Sequence, residues 1–259
     1  MRHIMNTRQR RRAWLEIHLS VKQPKVLEFG AFDNPTYFKN EADIEYLDYF
    51  SKSELAGLHG ATKPERVRNA IEVDHVIKAI DFAEQLPTQF DLLIANHVIE
   101  HVPDLIRWLD NASRCLSNSG RIFLSIPHKE YTFDKIRPLT TLSDLLLAYE
   151  EKLVAPCVRQ VFESLYYYRP IRAEHVWQAA SDIPKLIGQK RFQTASAAWE
   201  TAKEKVRSGG LLDVHCTVFT YESFLDLMRE LEGAGYTRLR VVDSANIQHL
   251  ANEFYVLLN

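Results

Sequence analysis

Short apolar runs alternate with helical stretches along much of this chain. The runs that predict strands occupy, in chain order, residues 25–29, 44–48, 70–73, 90–95 and 121–126. Because these runs are almost continuously apolar, they are typical of a sheet covered on both faces, as in parallel α/β proteins. Between the last two runs, apolar residues recur at helical spacing and predict a helix over 105–116, with Gly120 as its stop.

The C-terminal part of the chain continues this alternation. Apolar residues at helical spacing from Phe224 to Leu231 predict a further helix, and Thr220 is its expected N-cap. Two more strands are expected at 239–242 and 254–258. The order of elements predicts an α/β fold with a doubly wound, Rossmann-like, seven-stranded and mostly parallel sheet.

Two segments depart from the alternation. Residues 128–213 contain helical stretches and four prolines, and they predict an inserted helical cap after strand five. The cap leaves the carboxyl end of that strand, where ligands bind in open α/β sheets, so we expect it to form a ligand pocket. Residues 1–24 predict a basic amphipathic helix, which we interpret as an N-terminal helical lid. The alternative for this helix is a surface for a membrane or an anionic ligand.

Composition narrows the class of protein. The 259 residues are 46% apolar and 25% charged, with 32 Lys and Arg against 34 Asp and Glu. These values are typical of globular proteins, and the near-zero net charge gives no support for a nucleic-acid partner. Three cysteines without a C-x-x-C pair argue against a disulfide framework or a zinc ribbon and favour the reducing cytoplasm. No apolar run approaches the roughly 20 residues that span a bilayer, so no transmembrane segment is expected.

Glycine is scarce in this chain, and the turn after the first strand is also poor in glycine. The turn has one glycine, Gly30, where a dinucleotide site needs three, which disfavours a nucleotide-dependent oxidoreductase. Glu28 at the strand end suits a cationic, phosphate-free ligand such as S-adenosylmethionine. Asp48, which ends the second strand, suits the two hydroxyls of a ribose. Asp81 and Phe82 suit adenine, because the carboxylate can accept from the amine while the ring packs on the base.

The segments VLEFGAFDNP, YLD and FDLLIANHVIEHVPD, within residues 26–127, resemble the class I S-adenosylmethionine-dependent methyltransferases, specifically the small type 11 domains. The segments IPHKEYTFDKIRPLT and DVHCTVFTYESFLDLM resemble members that accompany surface-polysaccharide and glycan biosynthesis. The resemblance implies a single methyltransferase domain over 1–259 with S-adenosylmethionine as its cofactor. By position it implies a cofactor-binding set made of Glu28, Gly30, Ala31, Asn34, Asp48, Tyr49, Asp81, Phe82, Asn96 and His97.

Within this set the resemblance distributes roles along the cofactor. It places Glu28, Gly30 and Asn34 at the methionine end, and Asn96 with His97 on the segment beneath the sulfonium. The chain departs from the family pattern by having Ala-Phe-Asp-Asn where further glycines are usual.

Residues 97–101 read H-x-x-E-H, the signature of zinc peptidases in which two histidines share one face of a helix. Strand four runs directly into this motif and Pro103 follows it, where proline favours a helix start over a helix interior. We therefore expect no metal site and interpret His101 as a candidate general base. His128 and His215 are the other candidates, because histidine titrates near neutral pH.

A dense polar set follows strand five, and we interpret it as the substrate-binding site. It consists of Lys129, Tyr131, Asp134 and Arg137. Lys129 and Arg137 suit a phosphate or carboxylate, and Asp134 suits hydroxyls or Arg137 itself. The alternative is an ordinary solvated loop.

These observations predict an enzyme that moves the methyl group of S-adenosylmethionine to an oxygen of a small polar acceptor. The expected acceptor is a sugar or a nucleotide-linked or phosphorylated metabolite of capsule or glycan biosynthesis, anionic in part. Methylation of an amine, or a non-catalytic methyltransferase-like binding module, are the alternatives. The expected partner is this small molecule, and the expected assembly is a monomer or a homodimer.

Overall fold

A computed structural model describes residues 5–19, 23–86, 89–210 and 212–259. Its strands, in chain order, are β1 (Lys25–Phe29), β2 (Asp43–Asp48), β3 (His75–Val76), β4 (Phe90–Asn96), β5 (Leu116–Pro127), β6 (Val241–Ala245) and β7 (Glu253–Leu258). In the described part of the chain these strands form one sheet in the order β3-β2-β1-β4-β5-β7-β6. The pairs β1–β2, β1–β4, β2–β3 and β4–β5 are parallel, which confirms the predicted doubly wound α/β sheet.

Helices occupy the connections between the strands. They are α1 (Thr7–His18), α2 (Lys52–His59), α3 (Pro64–Asn69), α4 (Leu105–Arg114), α5 (Leu142–Glu150), α6 (Val158–Tyr166), α7 (Ala173–Trp177), α8 (Ile183–Gly188), α9 (Ala195–Ser208) and α10 (Tyr221–Gly233). The Thr220 side chain accepts a hydrogen bond from the Ser223 amide at the start of α10, so the predicted N-cap is confirmed. Among the helices of the described residues, none has both the length and the apolar character needed to cross a membrane.

The chain divides into two compact units, and the first consists of Met1–Asn96, Asp110–Ser125 and Leu257–Asn259. Helix α1 packs within this unit, because Leu15 is fully buried and the Trp14 ring lies 5.6 Å from the Phe123 ring. The structure thus confirms a helix in the predicted lid segment. Residues 1–4 and 20–22 of that segment lie outside the described residues, and its role as a lid stays a prediction.

The second unit consists of His97–Leu109 and Ile126–Val256. Helices α5 to α9 all fall between β5 and α10, so the predicted insertion after strand five is helical. Val161 and Leu165 of α6 pack with Ala202 of α9 in a small apolar core of their own. Leu211 lies outside the described residues.

Three details of the predicted elements are wrong. Residues 70–73 do not form a strand, because the Ile71 amide bonds to the Phe32 carbonyl instead of to the sheet, and the third strand is His75–Val76. The strand predicted at 239–242 lies at Val241–Ala245.

Gly120 does not stop a helix but lies inside β5. The β4–β5 register shifts at Phe90, and a Cβ on Gly120 would lie 2.8 Å from the Phe90 carbonyl oxygen. A close approach of two backbones therefore requires this glycine, a contact that sequence spacing did not indicate.

Candidate functional site

The turn after β1 is held in place by a buried carboxylate. Glu28 is wholly buried and accepts hydrogen bonds from the Thr36 amide at 2.8 and 2.9 Å, the Thr36 hydroxyl at 2.8 Å and the Asn96 amide nitrogen at 2.9 Å. Burial raises the pKa of Glu28 to about 7, although these hydrogen bonds oppose the shift. Glu28 thus connects the end of β1 to the turn and to the end of β4.

The turn itself needs backbone conformations that most residues avoid. Gly30 has a φ of 60° and Phe32 a φ of 47°, both in the left-handed region. Asp33 of this turn is paired with Arg66 through hydrogen bonds of 2.6 to 3.0 Å. Asn34 is exposed and its amide donates to the Ala31 carbonyl at 2.9 Å.

Asn96 carries an unsatisfied acceptor at the end of β4. Its amide nitrogen donates to Glu28 and Thr36, each at 2.9 Å. Its Oδ1 atom is buried and has no hydrogen-bond partner among the described residues. A buried acceptor without a donor is costly, so this atom suits a ligand that brings a donor or a positive charge.

Asp48 and Tyr49 leave the same edge of the sheet as Gly30, because the parallel register pairs Phe29 with Leu47. The Asp48 Oδ1 atom accepts from the Phe50 amide at 3.0 Å, and burial raises the Asp48 pKa above its ordinary value. Tyr49 is 47% exposed. The structure therefore places a carboxylate and an exposed aromatic ring side by side at the carboxyl end of β2, and their contact with a cofactor stays a prediction.

Asp81 and Phe82, the pair predicted to bind adenine, both contact other side chains of the first unit. Phe82 is buried and its ring packs edge-on against Phe29 at 4.9 Å. The Asp81 Oδ1 atom accepts from the Asn111 amide nitrogen at 3.4 Å. Both side chains take part in the packing of the first unit, and their contact with a base stays a prediction.

His97 opens the second unit, and it does not sit on a helix. Its φ is 53°, and the following residues Ile99–His101 form a single 3₁₀ turn. The H-x-x-E-H motif therefore lacks the continuous helix that a zinc peptidase site requires, so that alternative is wrong. The His97 Nε2 atom lies 2.7 Å from the buried Glu253 carboxylate, and its Nδ1 atom lies 3.5 Å from Glu100.

Two of the predicted histidines come together in the second unit. The rings of His101 and His215 lie 4.8 Å apart and edge to face. The His215 Nδ1 atom lies 2.5 Å from Asp134 Oδ2, and the His101 Nδ1 atom lies 3.2 Å from Asp213 Oδ1. Each ring therefore has a carboxylate at Nδ1, which leaves Nε2 as the nitrogen for other partners.

The environments of these two histidines shift their pKa values in opposite directions. Burial lowers the pKa of His101. Burial acts in the same sense on His215, but the hydrogen bond and charge of Asp134 raise its pKa overall. Pairs of titratable groups with divergent pKa values are typical of acid and base assignments in active sites. His101 is thus more readily neutral, with its Nε2 atom available to accept a proton, and His215 is more readily protonated.

An open cavity of about 680 Å³ borders this pair within the second unit. Its lining residues are His101, Phe133, Ser164, Leu165, Tyr168, Arg191, Phe192, Lys205, Leu212, Asp213, Val214 and His215. The lining combines aromatic rings with the cations Arg191 and Lys205, and the Arg191 guanidinium lies 4.6 Å from the Tyr168 ring centroid.

The third candidate base, His128, is in another environment. It is buried, its Nδ1 atom accepts from the Glu130 amide at 3.3 Å, and burial lowers its pKa. Its ring packs edge-on against Tyr131 at 5.4 Å and Phe254 at 6.0 Å. Tyr131 stacks in turn on Trp177 at 4.7 Å. None of these residues is among those that line the described cavity.

The cations predicted to bind the acceptor already have partners. The Lys129 Nζ atom donates to the Lys135 carbonyl at 2.6 Å. Arg137 is buried, and its guanidinium donates to the His215 carbonyl at 2.6 Å and to the Glu163 carboxylate at 3.0 Å. These contacts would have to break before either cation could bind an acceptor, and in this structure Arg137 instead holds the backbone of His215, a residue that lines the cavity.

Several residues of the cavity were not predicted from sequence. Arg191 and Lys205 lie far from the motifs along the chain, and no local pattern marks them, whereas Asp213 begins the segment DVHCTVFTYESFLDLM and lies two residues before His215. Glu100 belongs to the H-x-x-E-H run and could have been considered with His101 once the peptidase geometry was set aside.

Comparisons with known proteins agree on a family. A family model described as a methyltransferase domain matches residues 7–238. The ubiquinone biosynthesis O-methyltransferase of Xylella fastidiosa (strain M23) is 34% identical over 73 residues, which cover 28% of this chain and 27% of that protein. The chain therefore spans about a quarter of the length of the curated relatives it matches.

Solved structures resemble this chain only distantly. A Clostridium acetobutylicum S-adenosylmethionine-dependent methyltransferase has a TM-score of 0.44 and 8% identity, with 90% of this chain and 82% of that chain covered. A Rhodobacter sphaeroides structure described as a zinc-dependent alcohol dehydrogenase has a TM-score of 0.48 and 12% identity, with 96% and 89% covered. These similarities are too low to support an inference about activity.

Proposed function

We propose, from the premise that this chain belongs to the methyltransferase domain family, that it methylates a hydroxyl oxygen of a small acceptor. Family membership confirms the predicted class of enzyme, an S-adenosylmethionine-dependent methyltransferase. The observation that supports oxygen as the acceptor atom is the pair of histidines at the cavity, each with a carboxylate at Nδ1. A hydroxyl must lose its proton during transfer, and this pair can take it.

Residues of the first unit would hold the cofactor. S-adenosylmethionine supplies a methyl group made electrophilic by the attached sulfonium. The unsatisfied Asn96 Oδ1 atom suits its positively charged methionine end, and the Asp48 carboxylate suits its ribose hydroxyls. Glu28 would position Asn96 and Thr36 without touching the cofactor, because its carboxylate accepts hydrogen bonds from both side chains.

In the second unit His101 would act as the general base. Its lowered pKa keeps the ring neutral near pH 7, so Nε2 can accept the proton of the acceptor hydroxyl. When bound, S-adenosylmethionine would supply the methyl group, and the proton that the acceptor hydroxyl loses would move to the His101 Nε2 atom. Asp213 at Nδ1 would orient the ring and stabilise the imidazolium that results.

The cavity also indicates the class of acceptor. Arg191 and Lys205 bring positive charge to it, and Phe133, Tyr168 and Phe192 bring aromatic surface. We infer a hydroxyl-bearing molecule with an anionic group, such as a nucleotide-linked or phosphorylated sugar of glycan biosynthesis. The name of the Xylella relative, a ubiquinone biosynthesis O-methyltransferase, supports oxygen as the methylated atom.

Binding of S-adenosylhomocysteine is the direct test of the cofactor site. Isothermal titration is expected to give one site in the wild-type chain and at least a tenfold weaker site in Asp48→Ala, because a hydrogen bond donated to a charged group is lost. Asp43→Ala, at the other end of β2, is the matched control and should bind as the wild type does. Absence of wild-type binding at millimolar ligand would reject the proposal.

Turnover on candidate acceptors then tests the oxygen assignment. The release of S-adenosylhomocysteine is measured with nucleotide-linked sugars, sugar phosphates, hydroxybenzoates and simple amines. We expect His101→Ala to lower kcat by roughly 10² to 10⁴, the usual contribution of a general base. Turnover that occurs only on amines and survives this substitution would favour N-methylation instead.

A further inference from the structure

Glu100 is a buried carboxylate that the packing of the second unit does not account for. It is 1% exposed, and neither of its carboxylate oxygens accepts a hydrogen bond among the described residues, although ring nitrogens of His97 and His101 lie 3.5 and 3.9 Å from its Oε1 atom. Burial of a carboxylate without donors is strongly unfavourable. A carboxylate buried at that cost calls for an explanation, and one explanation is a metal ion that the carboxylate coordinates.

The groups that face Glu100 are ligands of transition metals. One carboxylate oxygen of Glu100 and one ring nitrogen each of His101 and His215 lie within 4.8 Å of one another. Around a zinc ion, ligand atoms about 2.0–2.2 Å from the metal lie roughly 3.3 Å from each other. The distances between these ligand atoms would therefore have to shorten by no more than about 1.5 Å, which rotation about the side-chain χ angles can supply.

The outer partners of the two histidines have the pattern of a metal site. Asp134 holds His215 through Nδ1 at 2.5 Å, and Asp213 holds His101 through Nδ1 at 3.2 Å. Metal-binding histidines usually donate their second ring nitrogen to a carboxylate or carbonyl, which fixes the tautomer and the ring orientation. The His101 Nε2 atom is on the side of Glu100, at 3.9 Å from Oε1.

We propose that Glu100, His101 and His215 bind a divalent transition-metal ion, with zinc as the best match. Two imidazoles and one carboxylate form a three-ligand set, which leaves an open coordination position in zinc enzymes. His101 and His215 also line the cavity, so that position is available to a small molecule. This set differs from the H-x-x-E-H peptidase site, because His97 is bonded to Glu253 and His215 takes the place of the second motif histidine.

Metal binding does not depend on the proposed function, but its consequence for the reaction does. An ion at these atoms occupies the Nε2 lone pair of His101, so the proton and the metal compete for that nitrogen. With the ion bound, the acceptor hydroxyl would be activated by coordination, which lowers its pKa, instead of by His101.

The test measures binding of the metal alone. Protein treated with a chelator and desalted, without an affinity tag, is titrated with zinc chloride by calorimetry, and Co²⁺ is used as a spectroscopic probe. We expect one ion per chain and visible Co²⁺ ligand-field bands. Glu100→Gln and His215→Ala should each weaken binding at least tenfold, the usual lower limit for loss of a ligand-sphere interaction. His249→Ala, which removes an exposed histidine outside the cluster, should leave binding unchanged.

Two outcomes would overturn the metal site. One is no zinc binding in the wild type, and the other is binding that Glu100→Gln leaves unaltered. Circular dichroism of each variant checks folding, and the near-isosteric Glu100→Gln keeps the test valid if His215→Ala does not fold. S-adenosylhomocysteine is titrated into the same preparation, so loss of zinc binding alone rejects the metal site and leaves the methyltransferase proposal standing.

Discussion

The buried carboxyl group of Glu28, in the candidate cofactor site, makes the stability of the protein depend on pH. Its ordinary pKa of 4.5 rises to about 7 in the folded protein because burial disfavours the charge. The folded state therefore binds more protons than the unfolded state between these values, and stability falls as pH rises through that window. A shift of this size corresponds to about 3 kcal/mol of stability.

Substitution of Glu28 by glutamine should remove most of this pH dependence. Urea unfolding is measured for the wild type and Glu28→Gln at pH values on both sides of the window from 4.5 to about 7. We expect the fall in unfolding free energy across the window to shrink by about 3 kcal/mol in the variant. Glu16→Gln, a change at an exposed carboxylate, is the control and should keep the wild-type slope. An unchanged slope in Glu28→Gln would contradict the raised pKa.

Two single residues, Glu28 and Arg137, have roles in the structure that their residue type alone did not indicate. Glu28 was predicted to face the cofactor, yet its carboxylate is consumed by Thr36 and Asn96. Arg137 was predicted to face the acceptor, yet its guanidinium is bonded to Glu163 and the His215 carbonyl. Residue type predicts which chemistry is available, whereas burial decides whether a ligand can reach it.

Among the elements, helix α1 joins the first unit through the apolar side chains of Leu15 and Trp14. Leu15 is fully buried, while Ile17 on the same helix is 78% exposed. A helix whose main function is to bind a membrane would keep its apolar face free, but this helix uses Leu15 for packing.

The pair Leu15 and Ile17 offers a matched test of that packing. Leu15→Ala should lower the free energy of unfolding by about 2–5 kcal/mol, because it leaves a cavity in a closed core. Ile17→Ala, an exposed change, should alter it by no more than about 0.5 kcal/mol. Chemical denaturation of both variants gives the comparison, and equal effects would show that α1 is not an integral part of the unit.

At the scale of the whole molecule, the insertion between β5 and α10 supplies the groups that would choose the acceptor. Arg191 lies between α8 and α9, and Lys205 lies on α9. Both line the cavity at His101 and His215. Acceptor specificity would thus depend on the inserted helices, and cofactor binding on the first unit.

Removal of either cavity cation should affect acceptor binding more than the chemical step. Arg191→Ala and Lys205→Ala are each expected to raise KM for an anionic acceptor roughly tenfold or more, since a hydrogen bond to a charged group contributes about 1.5–3 kcal/mol. The kcat should stay close to that of the wild type. Arg207→Ala, on the same helix as Lys205 but absent from the cavity lining, is the control. An unchanged KM in both cavity variants would argue against an anionic acceptor.

The sequence by itself determined the sheet and the family, because both depend on short-range patterns. Apolar runs at 25–29, 44–48 and 90–95 predicted β1, β2 and β4 to within one residue. The segments between Val26 and Pro127 predicted the methyltransferase family, and the family model confirms that membership. Element boundaries failed where a distant backbone contact intervened, as at Gly120 beside Phe90.

Only the tertiary structure decided which polar residues share a site. His101, Asp134 and the neighbours Asp213 and His215 come from three separate segments, and the contacts between these segments are set by chain packing that no local spacing encodes. Burial likewise determined that Glu100 has no hydrogen-bond partner among the described residues. The cost of a buried carboxylate without hydrogen bonds arises only when the folded chain excludes water, which is why the candidate metal site became visible in the structure and not in the sequence.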